Sequence, residues 1–99
     1  MAGRRRVTHE LLSGVVATGA GTAFSPPAEA VAVQIKGITT ATVDLEGSVT
    51  GGVNDWVQLA TNTADGAYST AAPFTYFRGN VTAWTSGTIT MTLSYVSNG

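Results

Sequence analysis

The stretch Phe74 to Val96, FTYFRGNVTAWTSGTITMTLSYV, decides the fold. Successive side chains of a strand point to opposite sides of a sheet. Phe77, Gly79, Val81 and Ala83 therefore share one face, and Tyr76, Arg78, Asn80, Thr82 and Trp84 share the other. Beyond Thr85, Ser86 and Gly87 the alternation resumes, with Ile89, Met91, Leu93 and Tyr95 on one side and Thr88, Thr90, Thr92 and Ser94 on the other. Two alternating arms around a short turn predict a β-hairpin. One face is an expected core. The opposite face carries two large aromatics and an arginine among threonines, more than solvation requires, so Tyr76, Arg78 and Trp84 are candidate interface residues.

Working outward, the same grammar recurs upstream. Val31, Val33 and Ile35 alternate with Ala32, Gln34 and Lys36 up to Gly37, and Ala41, Val43 and Leu45 alternate with Thr42, Asp44 and Glu46. These two runs predict a second hairpin. Trp56 to Thr61 reads as a further strand in which Trp56 and Val57 compete for the inward face. Asn62 to Gly66 reads as a turn, Ala67 to Thr70 as a short strand, and Thr22 to Pro27 as an extended segment closed by two prolines. Helical periodicity nowhere persists beyond a turn or two. Seven or eight short antiparallel strands, dense in Thr and Val and separated by Gly, Pro and Asn turns, specify an all-β domain of the sandwich or jelly-roll kind. Its expected core is Val31, Val33, Ile35, Val43, Leu45, Leu59, Phe77, Val81, Ile89, Met91 and Leu93.

The N-terminus invites a different parse. Arg4 to Arg6, then Leu11 to Phe24, then Pro26 to Ala30 imitate the basic, apolar and cleavage regions of a signal peptide. Ser13, Gly14, Thr18, Gly19, Gly21 and Thr22 interrupt the apolar part, and His9 and Glu10 stand at its mouth, so no signal peptide is expected. No other stretch approaches the roughly twenty apolar residues that cross a bilayer as a helix. Read as mature protein, Arg4 to Thr8 is a short basic arm and Glu10 to Thr18 a strand with Leu11 and Leu12 on alternate faces. The expected organisation is an N-terminal arm and first strand over residues 1–24, followed by a β-sandwich domain over 25–99. A basic arm beside a strand able to add to a neighbour's open edge makes Arg4, Arg5, Arg6, Leu11 and Leu12 candidate contacts with other subunits.

Composition narrows the chemistry. The 99 residues are 43% hydrophobic but only 11% charged, so Thr, Ser, Gly, Asn and Ala must cover most of the surface. A net charge of −1 supplies no field for nucleic acid. There is no cysteine, hence no disulfide frame and no thiolate metal site. His9 is the single imidazole and stands in the terminal arm, poorly placed for a catalytic triad or a metal centre. Asp44 and Glu46 lie two apart on one strand face, the spacing of a carboxylate pair, but outward acids on a strand more often solubilise it, and either can face Arg78 across the sheet. Asp55 and Asp65 occupy turns, where Asp bonds its own backbone. Neither a calcium loop, a phosphate-cradling glycine motif nor a nucleophile elbow is present in the sequence. No catalytic residue, cofactor or metal ligand is expected.

The order of several short motifs carries a resemblance. Leu11-Leu12-Ser13 and Ala17-Thr18-Gly19-Ala20-Gly21 are followed by Val43-Asp44-Leu45-Glu46-Gly47-Ser48 and Asp55-Trp56. Tyr76-Phe77-Arg78-Gly79-Asn80-Val81-Thr82-Ala83 and Ser86-Gly87-Thr88-Ile89-Thr90 complete the series. Over most of its length the chain thereby resembles a group of small virion proteins of tailed bacteriophages. Many of that group carry an Asp-Gly turn before the tryptophan where this chain has Gly51-Gly52-Val53-Asn54-Asp55. The resemblance implies a non-enzymatic structural protein assembled in the host cytoplasm into the virion, as a head decoration or cement protein or as a collar, tail or fibre component. Its expected partners are further copies of itself in a symmetric oligomer and a major capsid or other virion protein, not nucleic acid or membrane. The competing reading is a carbohydrate-binding module, with Tyr76, Trp84 or Trp56 stacked on sugar rings and Asn80, Asp44 or Arg78 fixing hydroxyls.

Overall fold

The computed structural model describes residues 4–26, 31–70 and 74–98. Among them are six strands and no helix: β1 (Arg4–Val15), β2 (Gly19–Ala20), β3 (Val31–Ser48), β4 (Val57–Asn62), β5 (Gly66–Thr70) and β6 (Tyr76–Asn98). Every pairing is antiparallel. The all-β class expected from the alternation is observed, with six strands in place of seven or eight.

The count differs for one reason. Each of the two stretches expected to be a hairpin is a single long strand, and the two pair with each other, from Ala32 opposite Ser94 to Ser48 opposite Tyr76. A flat hairpin would set both apolar arms on one side of a ribbon and leave that side bare. Here β3 and β6 bend together, at Gly37 and Gly87, so that the sheet folds over and the apolar arms meet. Met91 demonstrates the fold: twelve residues of straight strand span about 40 Å, yet a Cβ placed on Gly79 would stand 3.0 Å from Met91 Sδ. Gly37 and Gly87 have φ of +88° and +124°, a region that residues with a Cβ rarely enter.

The bend divides the sheet into two halves. In the first half-sheet the order is β1, the C-terminal part of β6, the N-terminal part of β3, then β5; in the second it is β2, the N-terminal part of β6, the C-terminal part of β3, then β4. One cluster lies between them, made of Leu11, Leu12, Val31, Val33, Ile35, Val43, Leu45, Phe77, Val81, Ile89, Met91, Leu93 and Tyr95. Ten of the eleven expected core residues belong to it. Leu59 is partly buried and packs against its rim, since a register shift between Leu45 and Glu46 leaves it as the extra residue of a bulge in β4.

The N-terminal expectations need correction. Arg4 to Thr8 is not an extended arm: β1 begins at Arg4 and pairs without interruption from Arg4 opposite Asn98 to Glu10 opposite Thr92. Leu11 and Leu12 do not alternate either. A register shift between Glu10 and Leu12 turns both side chains inward, each 3% exposed. Strand faces also switch in β6, where register shifts against β3 follow Val81; Ala83 is exposed while Trp84 packs against the core. Residues 27–30 of the signal-peptide parse and residues 71–73, the expected entry to the last stretch, lie outside the described residues.

Candidate functional site

The outer face of the second half-sheet gathers the polar chemistry. Val43 and Leu45 point into the core, which sends Asp44 and Glu46 outward. On β6, Arg78 stands opposite Glu46 and Asn80 opposite Asp44, while Thr61 of β4 flanks Asp44 on the other side. Arg78 Nε donates to Glu46 Oε1 at 2.7 Å, and Asn80 Nδ2 donates to Glu46 Oε2 at 3.0 Å. The ion pair expected across the sheet is thus present, with Glu46 as the partner. Both Glu46 oxygens are committed.

Trp56 completes this face. The Arg78 guanidinium lies 4.2 Å from the centre of its ring, within cation–π range. The loop that delivers Trp56 is shaped by its own polar groups. Gly51 N–H donates to Ser48 Oγ at 2.8 Å, Asp55 N–H donates to the Gly52 carbonyl at 3.2 Å, and the Thr50 hydroxyl donates to Asp55. Neither Trp56 nor Val57 wins the inward face: Trp56 is half-buried on Arg78 and Val57 is 50% exposed. Val49 and Val53 are exposed on the same loop.

Asp44 is the anomaly. It is 8% exposed, and its Oδ1 meets no hydrogen-bond donor among the described residues. Buried polar atoms are nearly always partnered, because removing one from water without compensation costs about 1–3 kcal/mol. A carboxylate oxygen held this way is withdrawn from water with no donor to replace it. Its neighbour Glu46 is engaged by Arg78 and Asn80, so the two acids differ: Glu46 ties β3 to β6 across the face, while Asp44 Oδ1 is buried without a donor among the described residues. No group of three His, Asp or Glu side chains comes together among the described residues.

The first half-sheet presents a different surface. Arg6, Thr8 and Glu10 point outward from β1 and are exposed, while Val7 and His9 turn toward the core side. Arg6 Nη1 donates to Ser94 Oγ on the adjacent strand at 3.2 Å. His9, expected in a loose arm, is held in β1 and stacks on Phe24 with ring centres 3.9 Å apart. Phe24 is in turn bridged to Phe77, so this stack ties the two half-sheets together at their open end. β1 ends the strand order on this side, and no described strand pairs with its outer edge.

The candidate interface residues separate on this structure. Arg6 is exposed; Arg78 is engaged by Glu46 and Trp56; Tyr76 is half-buried with its ring against Gly51. Leu11 and Leu12 are used up in the chain's own core, and Trp84 is half-buried with its indole N–H on the Gly87 carbonyl at 3.0 Å. The side chains of Arg4 and Arg5 lie outside the described residues. Glu10 is exposed on the same edge and face as Arg6, a placement legible in the sequence from the even spacing of Arg6, Thr8 and Glu10.

Neither a family model nor a curated protein matches the sequence. Among solved structures, the SPBc2 prophage-derived protein YomS is similar over 98% of this chain and 97% of its own, with a TM-score of 0.79 and 13% sequence identity. At that identity the likeness is one of fold.

Proposed function

We propose that this chain is a non-enzymatic structural subunit of a tailed-bacteriophage particle, acting as a decoration or cement protein on the head. The observation that carries the reading is the end-to-end fold likeness to a prophage-derived protein, which agrees with the resemblance of the sequence motifs to small virion proteins. The surface chemistry supports it. A chain with 11% charged residues and a long strand edge that no described strand pairs is exposed to pairing with other chains, and a fixed place in an assembly removes that hazard. The partners are further copies of the chain and a major capsid or other virion protein, met in the host cytoplasm during assembly.

The test is to purify particles from a host carrying the gene, separate heads from tails on a density gradient, and quantify this chain by mass spectrometry. A constant multiple-copy ratio to the major capsid protein in the head fraction is expected, with gene-deleted heads losing resistance to heat. Recovery in the tail fraction would move the chain to a collar, tail or fibre position. Complete absence from washed particles would overturn the reading.

A second reading, glycan binding, is favoured by one specific observation: Trp56, Arg78 and Asn80 share a face, with the nearly buried Asp44 beside them. Binding on a glycan array that is lost in Asp44→Ala and Trp56→Ala supports it, and a blank array removes it.

A further inference from the structure

We propose that two copies of this chain join edge to edge through β1, about a twofold axis passing through Thr8 that sets Arg6 of each copy opposite Glu10 of the other. The proposal deepens the structural-subunit reading and takes from it the premise that the chain works as repeated copies.

The argument begins with the edges. β4 is bulged at Leu59, β5 has five residues and β2 two. β1 alone offers a straight run, seven consecutive residues from Arg4 to Glu10 in unbroken register with β6. Natural sheets blunt such an edge with charged side chains, proline, a bulge or a covering segment; the charges here, on Arg4, Arg5, Arg6 and Glu10, oppose a second copy only in registers that set like signs across from each other. Residues 4–10 contain no proline, and the bulge comes only after Glu10. The backbone donors and acceptors along this edge, which no described strand meets, are a template for another strand.

Pleat and charge then select the partner and the register. A twofold axis normal to the sheet keeps the outward face outward, so residues opposite each other must share parity, and their numbers must sum to an even value. Centring on Val7 sets Arg4 against Glu10 at the two ends of the run, with Arg5 against His9 and Arg6 against Thr8 between them. Centring on His9 sets Thr8 against Glu10 and carries Arg6 onto the bulged Leu12. Centring on Thr8 sets Arg6 against Glu10 twice, Thr8 against itself, and Val7 against His9 on the inner side. Opposite charges directly across a strand pair stabilise it, and like charges oppose it. Charge therefore favours the registers centred on Val7 and on Thr8, and the Thr8 register is the one that sets both Arg–Glu pairs two residues from the axis, with Arg6 to Glu10 paired inside the unbroken run. The four strands of the first half-sheet become a continuous eight, in the order β5, β3, β6, β1 and back.

The sequence supplies a clean test, since it has no cysteine. Thr8 is exposed, so Thr8→Cys should fold, and mild oxidation of the purified full chain should convert most of it to a covalent dimer. Thr63→Cys, also exposed, is the control for random collision and should cross-link at least tenfold more slowly. A mixture of Arg6→Cys and Glu10→Cys chains should give the mixed dimer, with neither alone giving its own. Sedimentation should show dimerisation weakened about tenfold by Arg6→Glu or by Glu10→Arg, and restored in the double variant, whose charges are exchanged. A Thr8→Cys chain that cross-links no faster than the control, or a double variant as monomeric as the single ones, overturns the proposal. Self-linking of Arg6→Cys overturns the register. These readouts are independent of the particle experiment: a chain absent from virions that still cross-links at Thr8 sinks only the virion reading, and a chain abundant in virions that does not cross-link sinks only this one.

Discussion

Substituting alanine for Gly37 or Gly87 tests the folded sheet directly. Both glycines have left-handed φ, +88° and +124°, and holding a residue with a Cβ in such a sparsely populated region costs about 1–3 kcal/mol. Space is the second cost. A Cβ on Gly87 would lie 2.4 Å from the Gly37 carbonyl oxygen and 2.9 Å from Thr39 N, and one on Gly37 would lie 1.8 Å from the Thr88 carbonyl oxygen. These are backbone atoms of the β3–β6 ladder, which cannot rotate aside as a side chain would. Forcing the backbone apart adds on the order of 1–3 kcal/mol. The sum, roughly 2–6 kcal/mol, is a large part of the roughly 5–15 kcal/mol that holds a domain of this size together. Urea unfolding followed by tryptophan fluorescence should show a loss of unfolding free energy of that size, and melting should fall by about 10 °C or more. Gly19→Ala separates the two costs, because Gly19 has φ of +140° with nothing within 4 Å, and should show the backbone cost alone. Gly66→Ala, in open space with no positive φ, should lie within about 1 kcal/mol of wild type. If Gly37→Ala and Gly87→Ala behave like Gly66→Ala, the strands do not bend there and the folded-sheet account fails.

Leu45→Ala or Phe77→Ala empties a fully buried site and should cost about 2–5 kcal/mol, read by the same unfolding assay; an unchanged midpoint would mean that strand faces the other way. Asp44→Asn should match or exceed wild-type stability, since it removes a buried carboxylate whose Oδ1 has no donor; a loss beyond about 1 kcal/mol would show that the carboxylate is satisfied. Burial holds the Tyr68 phenol above its ordinary pKa of 10.0, a hydrogen bond from Asn62 lowers it, and the nearby Asp44 charge raises it further. Because the folded state keeps the proton longer than the unfolded chain, this contribution is intact below pH 10 and is lost as pH rises through the folded value. Absorbance titration at 295 nm should find Tyr68 ionising late, as a component absent from Tyr68→Phe, and that substitution should remove its part of the alkaline stability loss.

Alternation alone determined the class and nearly all of the core. Val31, Val33 and Ile35, Val43 and Leu45, then Ile89, Met91 and Leu93 obey a period of two, and burial on one side of a sheet demands that period. Charge and spacing also made the Arg78 to Glu46 pair legible, because both lie on outward positions of strands that come to pair. What local pattern could not decide is whether two alternating arms around a glycine pair with each other or fold together with a second such unit, since both arrangements give the same string of residues. The choice belongs to tertiary structure: only when β3 and β6 lie side by side and bend together are both apolar faces buried at once. Bulges escaped the sequence for a related reason. An extra residue in β1 turns both Leu11 and Leu12 inward, and extra residues in β6 bring Trp84 onto the core, and each is set by the register of the opposing strand. The isolation of Asp44 is likewise a property of its neighbours, because whether a carboxylate finds a donor depends on side chains from three strands and not on its own place in the chain.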